Sequence, residues 1–347
     1  MESEAQVLYQ SLKKQLGKIV PDVELFYKAE IAVEINRLKQ ERNAVILGHN
    51  YMEPVLFASI PDFVGDSLDL SRKAAQTDRD VIVFCGVRFM AETAKILNPS
   101  KTVLLPSEKA GCSLAASITA QDVRQLRQRF PGIPVVTYVN TYADVKAESD
   151  ICCTSSNAVA VVESLKSDTV IFLPDQYLAG NVARQTGKHI IFPTLLETGS
   201  QPDNLLDVHM IGWHGRCEVH EKFTVSDIET IRQQFPDVLV LSHPECSPEV
   251  VEASDYSGST NAMIKFVQES NAPQYLVLTE CAMGDNIAAA NPDKEMLRLC
   301  MVRCPHMNTI TMENVRDALL HNRVVIEVEE TVRSRAYRAV QRMIEIG

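Results

Sequence analysis

Residues 44–51 read AVILGHNY, residues 133–140 read IPVVTYVN and residues 238–245 read VLVLSHPE. Each is an apolar, β-rich run that breaks into polar residues at its end, as a buried strand does where it meets a site. Each also follows the basic end of an amphipathic helix: LKQERN at 38–43, LRQRFPG at 126–132 and IRQQFPD at 231–237. Three such segments make an internal repeat, which constrains the architecture before any single motif is interpreted.

Outward from these strands the three copies stay in register. A small, hydroxyl-rich turn opens an apolar-periodic helix in each: Gly65-Asp66-Ser67, Thr154-Ser155-Ser156-Asn157 and Gly258-Ser259-Thr260-Asn261. A second buried strand follows, VIVFCGV from Val81, VIFLP from Val170 and YLVLTEC from Tyr275. Another helix comes next, and then a cysteine: Cys112, Cys217 or Cys304. The interval from Ser67 to Cys112 equals that from Ser259 to Cys304. The middle copy is longer, and its surplus falls near residues 195–210, a stretch with Gly, Pro, Asp and Asn that reads as a loop insertion.

Strand and helix in alternation predict an α/β protein: three αβα units with parallel sheets, related by a pseudo-threefold axis around a central active site. The expected units are residues 29–111, 112–216 and 217–304. Residues 305–347 return to pack near the first unit, and residues 1–28 form an N-terminal helical extension. Ligands of such sheets bind at the carboxyl ends of the strands. That rule nominates His49, Tyr51, Tyr138, Asn140, His243 and Glu245.

Composition narrows the function. The 347 residues are 46% hydrophobic and 23% charged, which suits a folded globular chain. A net charge of −11 without a basic run argues against a nucleic-acid partner. Neither a signal peptide at residues 1–10 nor a long apolar span is apparent, so no membrane association and a cytoplasmic location are expected. Nine cysteines, including the adjacent Cys152 and Cys153, fit reduced thiols better than a disulfide framework.

Three cysteines from three separate units are a poor structural zinc site, which uses four ligands, often in close pairs. Three thiolates without a fourth are what a 4Fe-4S cluster with one open iron requires. Cysteine is also a common small core residue, the reading that suits Cys85, Cys152, Cys153 and Cys281. Cys112, Cys217 and Cys304 differ in sharing a repeat position beside polar residues (AGCSL, GRCEVH, RCPHM). Cys300 and Cys304, four apart, could pair on one helix face. The turns at Ser67, Ser155 and Thr260 resemble helix N-caps; three of them around one cavity would also favour anions. His49, His243 and His220 suit acid, base or carboxylate-donor roles, and Glu245 is the best carboxylate for proton transfer.

Several motifs together resemble quinolinate synthase: GHNYMEP at 48–54, GDSLDLSR at 65–72, GVRFMAETAKIL at 86–97, YVNTYADVKA at 138–147, CTSSNAV at 153–159, HPE at 243–245 and GST at 258–260. The resemblance runs from about residue 30 to about residue 340. It implies condensation of iminoaspartate with dihydroxyacetone phosphate to quinolinate, releasing phosphate and water, in NAD biosynthesis. It also implies a functional link to L-aspartate oxidase and iron–sulfur assembly proteins. Carried over residue by residue, it makes Cys112, Cys217 and Cys304 the ligands of one 4Fe-4S cluster whose open iron acts as a Lewis acid. Tyr51, His220 and Glu245 become catalytic, while His49, Ser67, Tyr138, Asn140, Ser155, His243, Ser259 and Thr260 contact substrate. Some members carry CxxCxxC at the third ligand. This chain has Cys300-Met-Val-Arg-Cys304, so a disulfide switch built on that motif does not carry over.

Two other readings compete, one that keeps the architecture and changes the reaction and one that is not an enzyme. Hydroxymethylbutenyl diphosphate reductase shares three lobes and three cluster cysteines but needs an electron donor, and the HPE, GST and GVRFM motifs do not suggest it. An iron–sulfur sensor would usually need a basic face or recognition helix, and the sequence offers neither.

Overall fold

A computed structural model describes residues 3–193, 207–299 and 302–347. Its strands form three parallel sheets. The first contains β1 (Ala44–His49), β2 (Phe63–Gly65), β3 (Val81–Cys85) and β4 (Thr102–Leu104). The second contains β5 (Val135–Tyr138), β6 (Ile151–Cys153), β7 (Val170–Leu173), β8 (Ile190–Ile191) and β9 (Met210–Ile211). The third contains β10 (Leu239–Ser242), β11 (Tyr256–Ser257), β12 (Gln274–Leu278) and β13 (Glu295–Leu297).

The strand orders are β2-β1-β3-β4, β6-β5-β7-β9-β8 and β11-β10-β12-β13, one topology repeated with an extra edge strand in the middle copy. Sequence reading found the two central strands of each sheet and passed over the flanking ones, which are too short to show a periodic pattern. The anticipated insertion near 195–210 lies largely outside the described residues; just before it, β8 adds the extra strand. Every residue of β1, β3, β5 and β7 is buried, as parallel sheets covered on both faces require.

The basic helix ends have a repeated structural task. Asp62, Asp150 and Asp255 each accept the backbone N–H of the neighbouring central strand, from Ile46, Val135 and Val240, all at 2.8 Å. Each carboxylate is held in turn by the preceding helix, through Lys39 at 2.9 Å, Arg127 at 2.7 Å and Arg232 at 2.9 Å. Beyond each sheet the cysteine opens a short 3-10 turn, Ala115–Ser117, His220–Lys222 or Met307–Thr309. A capping box then starts the next helix, at Thr119/Asp122, Thr224/Asp227 and Thr311/Asn314. The last of these helices, Met312–His321, packs on helix Asp22–Glu41 and β3 of the first unit.

The units grip one another in a cycle. Glu92 of the first accepts from Ala143 N–H of the second at 2.9 Å. Asn181 of the second donates to the carbonyls of Pro244 and Cys246 in the third, at 2.9 and 3.0 Å. Asn286 of the third donates to the carbonyls of Asn50 and Met52 in the first, at 3.1 and 2.9 Å. The C-terminal helix Glu330–Glu345 fills the seam between the first two units, against helices Arg88–Leu97 and Ala143–Ala147. Helix Glu4–Leu16 packs on Asp22–Glu41 around Leu12, Leu16 and Leu25.

Replacing Asp150 by alanine strips the Val135 amide of its acceptor and should cost about 1–3 kcal/mol. Arg127→Ala, which removes a partly exposed ion pair, should cost under about 1 kcal/mol. Urea unfolding of the two variants checks that order.

Candidate active site

The carboxyl ends of β1, β5 and β10 deliver His49, Tyr51, Tyr138, Asn140, His243 and Glu245 to one buried cavity. Ser67, Ser155, Thr260 and His220 line it too, together with all three repeat cysteines. Of the residues singled out from sequence, Ser259 alone is absent from the cavity wall, and its hydroxyl turns instead to Asp66 at 3.1 Å.

The helix caps differ from the expected ones. Asp66, Asn157 and Ser259 occupy the N-cap positions, not Ser67, Ser155 and Thr260. The two kinds of residue lie one or two positions apart in each turn, and aspartate and asparagine are as common at N-caps as serine. Asp66 and Ser259 accept from amides of their helices, whereas Asn157 makes no capping bond and accepts instead from the Thr154 N–H and hydroxyl at 2.8 and 3.2 Å. The displaced assignments therefore leave Ser67, Ser155 and Thr260 facing the cavity.

Each cysteine lies just before its 3-10 turn, whose backbone amides favour negative charge on the sulfur. Ala115 N–H donates to Cys112 Sγ at 3.4 Å, and the backbone amides of the other two turns favour the thiolate at Cys217 and Cys304. Burial nevertheless pushes the Cys112 thiol up to about 12 and raises Cys217 and Cys304 as well. Negative charge on Cys304 adds to the rise at Cys112, and charge on Cys112 to that at Cys217, so the sulfurs lie within electrostatic reach of one another. A Glu218–His306 pair at 3.1 Å bridges two of the cysteine turns. Such thiols ionise when a cation displaces their protons, and the amides then stabilise the charge on sulfur. The donor set fits a group with three thiolate ligands. Cys217, His220 and Glu245 also have potential ligand atoms within 4.8 Å of one another. Cys300 lies outside the described residues.

A hydrogen-bonded chain crosses the cavity. Tyr51 Oη lies 2.6 Å from Thr279 Oγ1, which lies 2.9 Å from His220 Nε2; His220 Nδ1 lies 2.8 Å from Glu245 Oε2. Tyr138 donates to Glu245 Oε1 at 2.5 Å and Asn140 at 3.2 Å. A His220 ring protonated at Nδ1 satisfies every contact: tyrosine donates to threonine, threonine to imidazole and imidazole to carboxylate. Burial works to raise the Glu245 carboxyl, but attraction and hydrogen bonding to His220, with help from Tyr138, hold it below the usual carboxylate range. Burial, then the Glu245 charge, keeps Tyr51 and Tyr138 protonated by raising them well above the usual phenol value.

His49 and His243 form a matched pair. Each Nδ1 accepts the N–H two residues on, from Tyr51 at 3.2 Å and Glu245 at 3.3 Å, which leaves Nε2 to carry the proton. Burial lowers them to about 4 and about 3, so both rings are neutral hydrogen-bond donors. The His220 and His243 rings stack at 4.6 Å.

Sequence reasoning missed Asp66, Ser156, Thr279 and Glu280. Thr279 and Glu280 follow β12 directly, so the strand-end rule, extended from the first to the second central strand of each unit, would have found them. Glu280 accepts the Ala282 N–H at 2.6 Å, and burial raises its carboxyl to about 7. Asp66 and Ser156 adjoin residues that were chosen.

Three repeated units that each give one cysteine, one hydroxyl turn and strand-end polar residues to a shared buried cavity define an α/β enzyme with a composite central site. The sequence profile of the quinolinate synthetase A protein family matches residues 33–345. Among similar proteins, quinolinate synthase 2 of Mesorhizobium japonicum is 52% identical over 96% of this chain and 97% of its own. Quinolinate synthase of Agrobacterium fabrum is 49% identical over 98% and 93%, and that of Xylella fastidiosa 53% over 90% and 86%. The chain belongs to the quinolinate synthase family of enzymes. No helix among the described residues is long and apolar enough to cross a membrane.

The neutral histidines set a pH dependence. The unfolded chain protonates them near 6.5, whereas the folded chain resists until about 4 and about 3, so stability falls as pH drops below 6.5. Each should contribute a loss of about 2 kcal/mol between about pH 7 and about pH 5. Urea unfolding across that range, compared with His243→Gln, should show a shallower slope in the variant.

Proposed function

We propose that the chain condenses iminoaspartate with dihydroxyacetone phosphate to form quinolinate, releasing phosphate and water, for NAD biosynthesis. Cys112, Cys217 and Cys304 hold one 4Fe-4S cluster on this reading. The observation that carries it is the convergence of the three cysteines, each just before a 3-10 turn, on a cavity lined by neutral histidines and hydroxyls. Bound there, such a cluster would supply an open iron as Lewis acid.

The chain's own residues divide the remaining work. Nε2–H of His49 and His243 binds substrate carboxylates without bringing a charge of its own. Ser67, Ser155 and Thr260 donate hydroxyls to phosphate or carboxylate. Glu245 takes and returns protons through His220, and the Thr279 hydroxyl passes them on to Tyr51. Tyr138 and Asn140 hold Glu245 in place and contact substrate. Starting from an imine, the reaction needs no net electron transfer. An L-aspartate oxidase would supply that imine and iron–sulfur assembly proteins the cluster, in the cytoplasm.

The proposed unit boundaries are 29–111, 112–216 and 217–304, with 1–28 as an N-terminal helical extension and 305–347 returning to the first unit. The packing of helix Met312–His321 on Asp22–Glu41 supports that return.

Anaerobically purified protein given both substrates should yield quinolinate by mass spectrometry, and Cys304→Ala should lose iron and product together. Glu245→Gln should keep its iron and lower kcat by about 10²- to 10⁴-fold. A wild-type protein with spectroscopically intact cluster and no product would refute the substrate assignment.

A further inference from the structure

The three hydroxyl turns are joined at one carboxylate. Asp66 Oδ1 caps its own helix, Ser67–Gln76, by accepting from Leu68 and Asp69 N–H at 3.1 and 3.0 Å. Its Oδ2 accepts from Ser156 Oγ of the second unit at 2.7 Å and from Ser259 Oγ of the third at 3.1 Å. The carboxylate is 7% exposed and forms part of the cavity wall.

A carboxylate only accepts, so the Ser156 and Ser259 protons are committed to Asp66 and unavailable to an anion. Ser67, Ser155 and Thr260 put one hydroxyl residue from each unit on the cavity wall, beside Ser113, Thr154 and the committed Ser156. Thr260 Oγ1 accepts from Asn50 Nδ2 at 2.8 Å, which leaves its own proton free to donate. A negative group in the wall of an anion-binding cavity carries a cost in repulsion. Its place where all three units meet accounts for its presence: it draws two turns to the third and fixes which hydroxyls face inward.

We propose that Asp66 is a positioning residue, a clasp that holds the second and third turns against the first so that Ser67, Ser155 and Thr260 present their hydroxyls to one anionic substrate group. The substrate part of this inference rests on the function proposed above; the clasp itself does not. It differs from a generic stabilising contact because its loss should act on substrate affinity through Ser156 and Ser259 specifically.

The test compares four holoenzymes with wild type: Asp66→Ala, Asp66→Asn, the Ser156→Ala/Ser259→Ala pair, and that pair combined with Asp66→Ala. KM for dihydroxyacetone phosphate, kcat, iron per chain and urea unfolding are measured on each. Asp66→Ala should raise KM about tenfold or more, lower kcat by less and retain iron. Asp66→Asn, which keeps the helix cap through Oδ1 and can donate from Nδ2 to the lone pairs of both serine hydroxyls, should recover part of the affinity. The serine pair alone should reproduce the rise in KM, and adding Asp66→Ala to it should change KM little further. A serine pair with wild-type KM overturns the proposal even if Asp66→Ala fails to fold. Independent, multiplicative effects of Asp66 and the serines overturn it too. If wild-type protein makes no quinolinate, the functional reading fails, and the unfolding data alone judge the clasp: energetic coupling between Asp66 and the serine pair supports it, and additivity refutes it.

Discussion

Everything at the centre of this molecule depends on ring closure between units that resemble one another. None of the three sheets could build the cavity alone, since each offers only one cysteine and a few polar strand ends. Glu92, Asn181 and Asn286 each reach from the helix after one unit's second central strand to the backbone that follows the first central strand of the next unit. Those backbone segments carry, or adjoin, Asn140, Glu245 and Tyr51. The same contacts that close the ring therefore set the positions of the polar groups inside it, and a shift in one unit is transmitted to the others' chemistry.

The ring also resolves an electrostatic difficulty. On the proposed function, an acidic chain with a net charge of −11 must bind phosphate and carboxylates. The cavity wall presents few full positive charges, and relies on neutral donors: two histidines kept uncharged by burial, hydroxyls outside the helix caps, and the Ala115 amide on the Cys112 sulfur. Preorganised dipoles in a buried site are effective because they need no reorganisation when charge arrives. Burial is thus part of the chemistry, since it sets the histidines neutral, keeps the tyrosines protonated and leaves the thiols dependent on a cation for ionisation.

Much of this was legible in the sequence because a repeat multiplies weak signals. One apolar run ending in His-Asn-Tyr says little, but three such runs in register identified the parallel sheets, the cysteines and most of the cavity wall. The capping boxes after each cysteine were equally repetitive and could have been read. What escaped were contacts with no periodicity: the joining of Ser156 and Ser259 to Asp66, and the Thr279 hydroxyl between Tyr51 and His220. These pair residues that are far apart in sequence, and only the assembled ring brings them together. The caps were misassigned because neighbouring residues in each turn have equal intrinsic preference, and tertiary contacts decide between them.

The central claim is that Cys112, Cys217 and Cys304 meet around a single iron–sulfur group. The most direct measurement is an anomalous-difference map recorded at the iron edge from crystals grown without oxygen. The account predicts one compact iron peak within bonding distance of all three sulfurs. Iron held only by Cys217, His220 and Glu245, or any arrangement that leaves one of the three cysteines unligated, would contradict it.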